Sequence, residues 1–177
     1  MKILVPLADG FEDIEVATIV DVLRRAGIGV DTVSMVGGVV TSSHDVKIMA
    51  DKKISDVSVE NYDGIVLPGG SPGFVNLGKS SKLKELLEQF NERGKLIAAI
   101  CGAPSVLAKY HLLDNKRATI YPGMERELPY PRDEKVVIDG NVITSQGPGT
   151  AMEFALAIVE KILGKQKAWA LKEQLVV

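Results

Sequence analysis

The chain has 177 residues, 46% of them hydrophobic and 25% charged, with 21 Lys and Arg against 23 Asp and Glu for a net charge of -2. That length suits one domain spanning residues 1–177 with a sizeable core, and the composition excludes disordered, collagen-like and disulfide-scaffold classes. A balanced charge with no basic run leaves no electrostatic footprint for nucleic acid, and the uncharged apolar stretch 96–108 is too short and too interrupted for a membrane span.

Residues 2–8 read as a short apolar strand, followed by Val16, Ile19, Val20, Val22 and Leu23 at helical spacing up to Gly27. Asp9 and Glu12 suggest a capping box, Ala26-Gly27 a left-handed helix end, and Glu12, Asp13 and Glu15 fall in the first turn. A second strand is expected over 30–35 and a small hairpin over 39–41 and 46–49. The strand at 64–67 runs into the breaker cluster Pro68-Gly69-Gly70-Ser71-Pro72-Gly73, where the chain must change direction.

Leu83, Leu86, Leu87 and Phe90 form the inward stripe of the next helix, and 96–100 is a continuously apolar strand ending at Cys101. Residues 135–138 and 142–145 flank Asp139-Gly140, a hairpin signal. Thr150 and Glu153 suggest a second capping box, ahead of an apolar stripe that stops at Gly164. The amphipathic tail, 165–177, carries Trp169, Leu171 and Leu175 and reads as a short packing helix or part of a subunit contact. Strands alternating with helices predict a doubly wound three-layer α/β/α sandwich with a mostly parallel sheet. Ligands of such folds bind beyond the carboxyl ends of the strands, where Asp9-Gly10, Pro68-Gly69-Gly70 and Cys101-Gly102 would meet.

Cys101 is the sole cysteine. It cannot close an intrachain disulfide, and with only His44 and His111 available a structural metal site has little support. No secretory signal is visible at the N-terminus, so a reducing cytoplasm is the expected compartment. At a strand-to-helix junction the thiol would meet unpaired N–H groups that favour its thiolate, and Gly102 with Gly69-Gly70 could supply an oxyanion site. Against this stand ordinary readings: a buried hydrophobe for the cysteine, tight turns for the glycines, dipole complementation for the acids. Glu15, one position before Val16 on a core-facing segment, would share a proton with the sulfur if buried beside it.

Gly10-Phe11-Glu12-Asp13-Ile14-Glu15, Leu67-Pro68-Gly69-Gly70, Ala98-Ala99-Ile100-Cys101 and Thr144-Ser145-Gln146-Gly147-Pro148-Gly149-Thr150, followed by Glu153-Phe154-Ala155, occur in that order. Together they resemble the ThiJ/PfpI superfamily, in its Parkinsonism-associated deglycase and YajL-like branch, over almost the whole chain. The resemblance implies a flavodoxin-like homodimer with Cys101 as the reactive or oxidisable cysteine, Glu15 as its carboxyl partner, and Gly70 and Gly102 at anion-binding positions. It also implies a cofactor-free glyoxalase or deglycase acting on methylglyoxal, glyoxal or their early adducts, with Gly69, His44, Tyr121 and Pro148 as substrate-binding neighbours.

Two departures from the family pattern bear on chemistry. Gly102 stands where the peptidase branch carries histidine after the nucleophile, which removes the local base of a Cys-His mechanism. Tyr121-Pro122 stands where animal members have His-Pro, and His44 where the branch often has Arg. The alternatives are an oxidation sensor with chaperone-like behaviour acting through Cys101, and an intracellular peptidase of the PfpI type. His111 reads as structural.

Overall fold

A computed structural model describes residues 1–177. In chain order the elements begin with β1 (Lys2–Leu7), α1 (Asp13–Arg25) and β2 (Gly29–Ser34), then the hairpin strands β3 (Val39–Thr41) and β4 (Lys47–Met49), then β5 (Lys52–Lys53) and β6 (Gly64–Leu67). They continue through α2 (Gly73–Leu77), α3 (Ser81–Glu92), β7 (Leu96–Ile100), α4 (Pro104–Lys109), β8 (Val136–Asp139), β9 (Val142–Ser145), α5 (Ala151–Leu163) and α6 (Lys165–Leu175). Seven strands form one sheet in the order β5-β2-β1-β6-β7-β9-β8, parallel except for the edge strand β8, while β3 and β4 pair separately. This is the expected flavodoxin-like sandwich.

The two faces of the sheet explain the sequence pattern of the strands. Ile3, Val5 and Leu7 of β1, with Ala98 and Ile100 of β7, pack beneath Val16, Ile19 and Leu23 of α1 and Phe154 and Ile158 of α5. Leu4, Ile97 and Ala99 face the opposite layer, against Leu83, Leu86, Leu87 and Phe90 of α3 and Val106 and Leu107 of α4. Both faces are covered, so period-two alternation gives way to unbroken apolar runs. The sheet is built in one direction from β1 to β2 and in the other through β6, β7 and β9, and the loops at the carboxyl ends of these strands share one edge.

Local signals hold at some boundaries and fail at others. Gly27, at φ of 86°, ends α1 as expected, with the Ile28 N–H returning to Leu23 O at 3.0 Å. Neither expected capping box forms. The Asp9 carboxylate instead accepts the Thr41 N–H at 2.9 Å, and Glu12 takes the N-cap position with extended backbone. The Thr150 hydroxyl is drawn to Ser145 Oγ and Gly147 N–H, while Glu153 pairs with Lys135 at 3.0 Å. In both cases a partner distant in sequence or in the preceding turn outcompetes the helix N-terminus. The tail folds as α6, burying Ala168 and Leu171 against the core, while Trp169 remains on the solvent face.

Candidate active site

Cys101 follows β7 directly, and its φ of 63° places a non-glycine residue in the left-handed region. That conformation is sparsely populated, and it persists because both backbone groups are tied. The Cys101 N–H donates to Ser145 O at 3.0 Å, and its carbonyl accepts the Tyr121 N–H at 2.9 Å. The strand ends, the chain turns sharply through Gly102 and Ala103, and α4 starts at Pro104. The result is an elbow that holds the half-buried sulfur at the carboxyl edge of the sheet.

Glu15 lies one turn into α1 and is completely sealed from solvent. Its Oε2 accepts the Gly69 N–H at 2.7 Å, and Oε1 is buried without a conventional hydrogen-bond partner. Gly69 is the point where carboxyl and thiol converge: a Cβ there would lie 2.5 Å from Cys101 Cβ and 3.0 Å from Glu15 Oε2. Any side chain at this position would separate the pair. Gly70, at φ of 86°, is pressed against the backbone of Gly10 to Glu12, and Gly102 against the ring of Phe74. The N–H groups of Gly70 and Gly102 lower the proton affinity of the thiol, and the Glu15 charge raises it.

Burial dominates the proton affinities of the pair. It pushes Glu15 up to about 7, opposed by the Gly69 N–H and reinforced by the negative charge of Glu12. It also pushes the Cys101 thiol up to about 11, with the Glu15 charge adding to the rise and the two glycine N–H groups opposing it. The expectation of a thiolate favoured by a helix N-terminus is therefore corrected, because desolvation outweighs the amide dipoles and α4 begins only at Pro104. Once the pair has lost its first proton near neutrality, one negative charge remains for two atoms. With the residual proton on Glu15, the carboxyl ceases to repel the sulfur and donates to it.

The other singled-out residues divide. Tyr121 is tied to Cys101 through its N–H, and its half-exposed ring packs against Gly147, beside the turn that carries Pro148. His44 is brought by the β3–β4 hairpin to the start of α1, where Nδ1 lies 3.0 Å from Asp13 and 4.0 Å from Glu12, and Asp13 raises its pKa. None of its polar contacts reaches Cys101 or Gly70. His111 is exposed and pairs with Asp114 at 3.2 Å. Two neighbours escaped the sequence reading. Glu12 supplies a charge beside Glu15 and donates its N–H to Gly69 O at 3.1 Å, a role hidden behind the usual preference for acids at helix starts. Phe74 walls Gly102, with no local signal beyond following the breaker cluster. Glu12, Asp13 and His44 come within reach of one another, but their ion pair already satisfies them.

A doubly wound sheet that carries a left-handed cysteine at the end of a central strand, with a sealed carboxyl beside it, defines a flavodoxin-like protein with a cysteine elbow. Residues 1–161 match the DJ-1/PfpI family, and the chain belongs to that family. It is 46% identical over 179 aligned residues to Protein dj-1beta of Drosophila melanogaster, covering 98% of this chain and 96% of that one. It is 40% identical to the Parkinson disease protein 7 homolog of Danio rerio, covering 99% and 96%. Among solved structures, Toxoplasma gondii DJ-1, described as oxidized, superposes with a TM-score of 0.96 at 39% identity, covering 99% of this chain and 97% of that one. No helix is long and apolar enough to cross a membrane.

Proposed function

We propose that the chain is a cysteine-dependent, cofactor-free glyoxalase or deglycase acting on methylglyoxal, glyoxal or their early adducts, with a protective role in a reducing compartment such as the cytoplasm. The observation that carries this reading is the convergence of Cys101 and a solvent-sealed Glu15 on Gly69, between the turns of Gly70 and Gly102.

In the reactive form the proton resides on Glu15 and the charge on sulfur. The thiolate adds to the aldehyde carbon, a C–S bond forms, and the carbonyl electron pair moves to oxygen, which takes the Glu15 proton. The two glycine N–H groups, released from the sulfur, stabilise the developing oxyanion. Glu15 then carries the proton of the former aldehyde carbon to the neighbouring carbon while the hydroxyl proton passes to the neighbouring oxygen, leaving a 2-hydroxyacyl thioester. Water hydrolyses that thioester, releasing the hydroxy acid and the thiol, so no external oxidant or reductant is consumed. Tyr121, Gly69 and Pro148 border this space, and the homodimer implied by the family resemblance is part of the same reading. Cys101→Ser is expected to abolish lactate formation from methylglyoxal, measured against fold retention by circular dichroism. Full turnover in that variant would remove the nucleophile.

A second reading has its own support: a relative described as oxidized, and a Glu15 Oε1 left without a partner beside the sulfur. Here two equivalents of peroxide convert the thiolate to a sulfinate with release of water, held by Glu15 and the same N–H groups. Intact mass after mild peroxide should show two added oxygens on Cys101, and failure to accumulate that species would count against a sensor. A peptidase reading is disfavoured, since neither histidine bonds to Cys101.

A further inference from the structure

Gly102, the residue directly after the thiol, is a glycine for reasons of space and not of conformation. Its φ lies outside the left-handed region, so the backbone there accepts any L-residue. What excludes a side chain is a single ring. A Cβ on Gly102 would lie 2.6 Å from both Cδ1 and Cε1 of Phe74 and 2.9 Å from its Cζ. Phe74 therefore occupies the place of the side chain that residue 102 lacks. The ring is partly exposed, Gly102 beneath it is buried and the neighbouring thiol is partly exposed, so the ring borders the approach to the sulfur on the Gly102 side.

This border is held at both ends of α2. The Gly73 N–H donates to Gly10 O at 3.1 Å, the Phe74 N–H to Gly70 O at 3.0 Å, and Asn76 Nδ2 to Asp9 O at 3.0 Å. At the far end Gly78 O accepts from Lys109 Nζ at 2.8 Å and from Tyr110 Oη at 2.9 Å, which ties α2 to the end of α4. Phe74 also packs against the core layer that contains Val106 and Leu107. A side chain fixed in this way cannot swing aside, and it rejects a misfitting group by steric exclusion.

We propose that Phe74 is a specificity-determining residue, whose ring limits the carbon next to the reacting aldehyde to a hydrogen or methyl substituent and excludes branched and aryl groups. The proposal rests on the dicarbonyl reading above. When the developing oxyanion sits on the Gly102 N–H, the reacting carbon lies about 4 Å from that amide nitrogen. The substituent on the next carbon is then within reach of the ring that stands over the same residue. Hydrogen and methyl, as in glyoxal and methylglyoxal, fit beside it; a phenyl group meets it.

The test compares the native chain with Phe74→Ala and with Phe74→Leu, which keeps an apolar contact and serves if the alanine variant loses its fold. The first readout is hydroxy acid released from phenylglyoxal and from methylglyoxal. The ratio of kcat/KM for the two, phenylglyoxal over methylglyoxal, should rise at least about tenfold in Phe74→Ala and in the same direction in Phe74→Leu. The second readout needs no turnover. Because Cys101 is the sole cysteine, its rate of capture by N-phenylmaleimide relative to N-ethylmaleimide reports access to the sulfur alone, and that ratio should rise in both variants. A raised capture ratio in a protein that turns over neither dicarbonyl would keep Phe74 as the wall and remove only the dicarbonyl reading. An unchanged capture ratio, or an unchanged turnover ratio in active variants, would overturn the proposal, and native turnover of methylglyoxal would leave the dicarbonyl reading intact.

Discussion

Glu15 links the site to the stability of the whole chain through a single proton. Its carboxyl titrates at about 7 in the folded protein against 4.5 for the ordinary group, with burial as the principal cause. Below the ordinary value both folded and unfolded states hold the proton, and the contribution to stability is complete. As pH rises toward 7 the unfolded chain releases its proton while the native state retains it, so stability falls by roughly 3 kcal/mol across that window. Denaturant titrations of the native chain and Glu15→Gln at several pH values from about 4.5 to 7.5 should show the native chain losing ground to the variant as pH rises; parallel curves would mean that the carboxyl is solvated. The same substitution removes the charge that holds the thiol up, so the upper midpoint of Cys101 alkylation should move down from about 11. An unchanged midpoint would separate the two groups electrostatically.

At the scale of elements, the site is a meeting of turns held at close quarters by backbone and side-chain contacts. Gly70 is the tightest of them. A Cβ on it would lie 2.3 Å from Glu12 N and 2.5 Å from Gly10 O, and its positive φ adds about 1–2 kcal/mol against any L side chain. Gly70→Ala is therefore expected to push the turn after β6 away from α1, with loss of dicarbonyl turnover of about 10²-fold or more and near-normal far-ultraviolet dichroism. Retention of activity would show that the Gly70 N–H does not serve the reaction. The two capping boxes that fail to form make a related point. Asp9 and Thr150 have the right chemistry for helix caps, but Thr41 N–H across the β3 boundary and Ser145 Oγ at the end of β9 hold them elsewhere.

At the scale of the molecule, α1 and α5 form the layer on which Glu15 rides, and they lock through Val16, Ile19 and Leu23 against Phe154 and Ile158. Phe154 is fully buried, so Phe154→Ala should cost about 3–5 kcal/mol in denaturant unfolding and loosen the Glu15–Cys101 register with it. A cost near zero would mean that this layer is poorly packed. The order of strands and helices, the parallel sheet, the junction at Cys101 and the breaker cluster at 68–73 were legible in the residues, because periodicity, glycine and proline act locally on the backbone. Burial was legible only in outline, as in the placement of Glu15 beside Val16. The sequence by itself determined the layers, the turns and the residue types delivered to the carboxyl edge of the sheet. Tertiary structure alone decided that the thiol's pKa is raised, that Glu12 bears on Glu15, that His44 is taken by Asp13, and that β8 is left open at the edge. Each of these depends on desolvation and on distances between segments far apart in the chain, which no local pattern encodes.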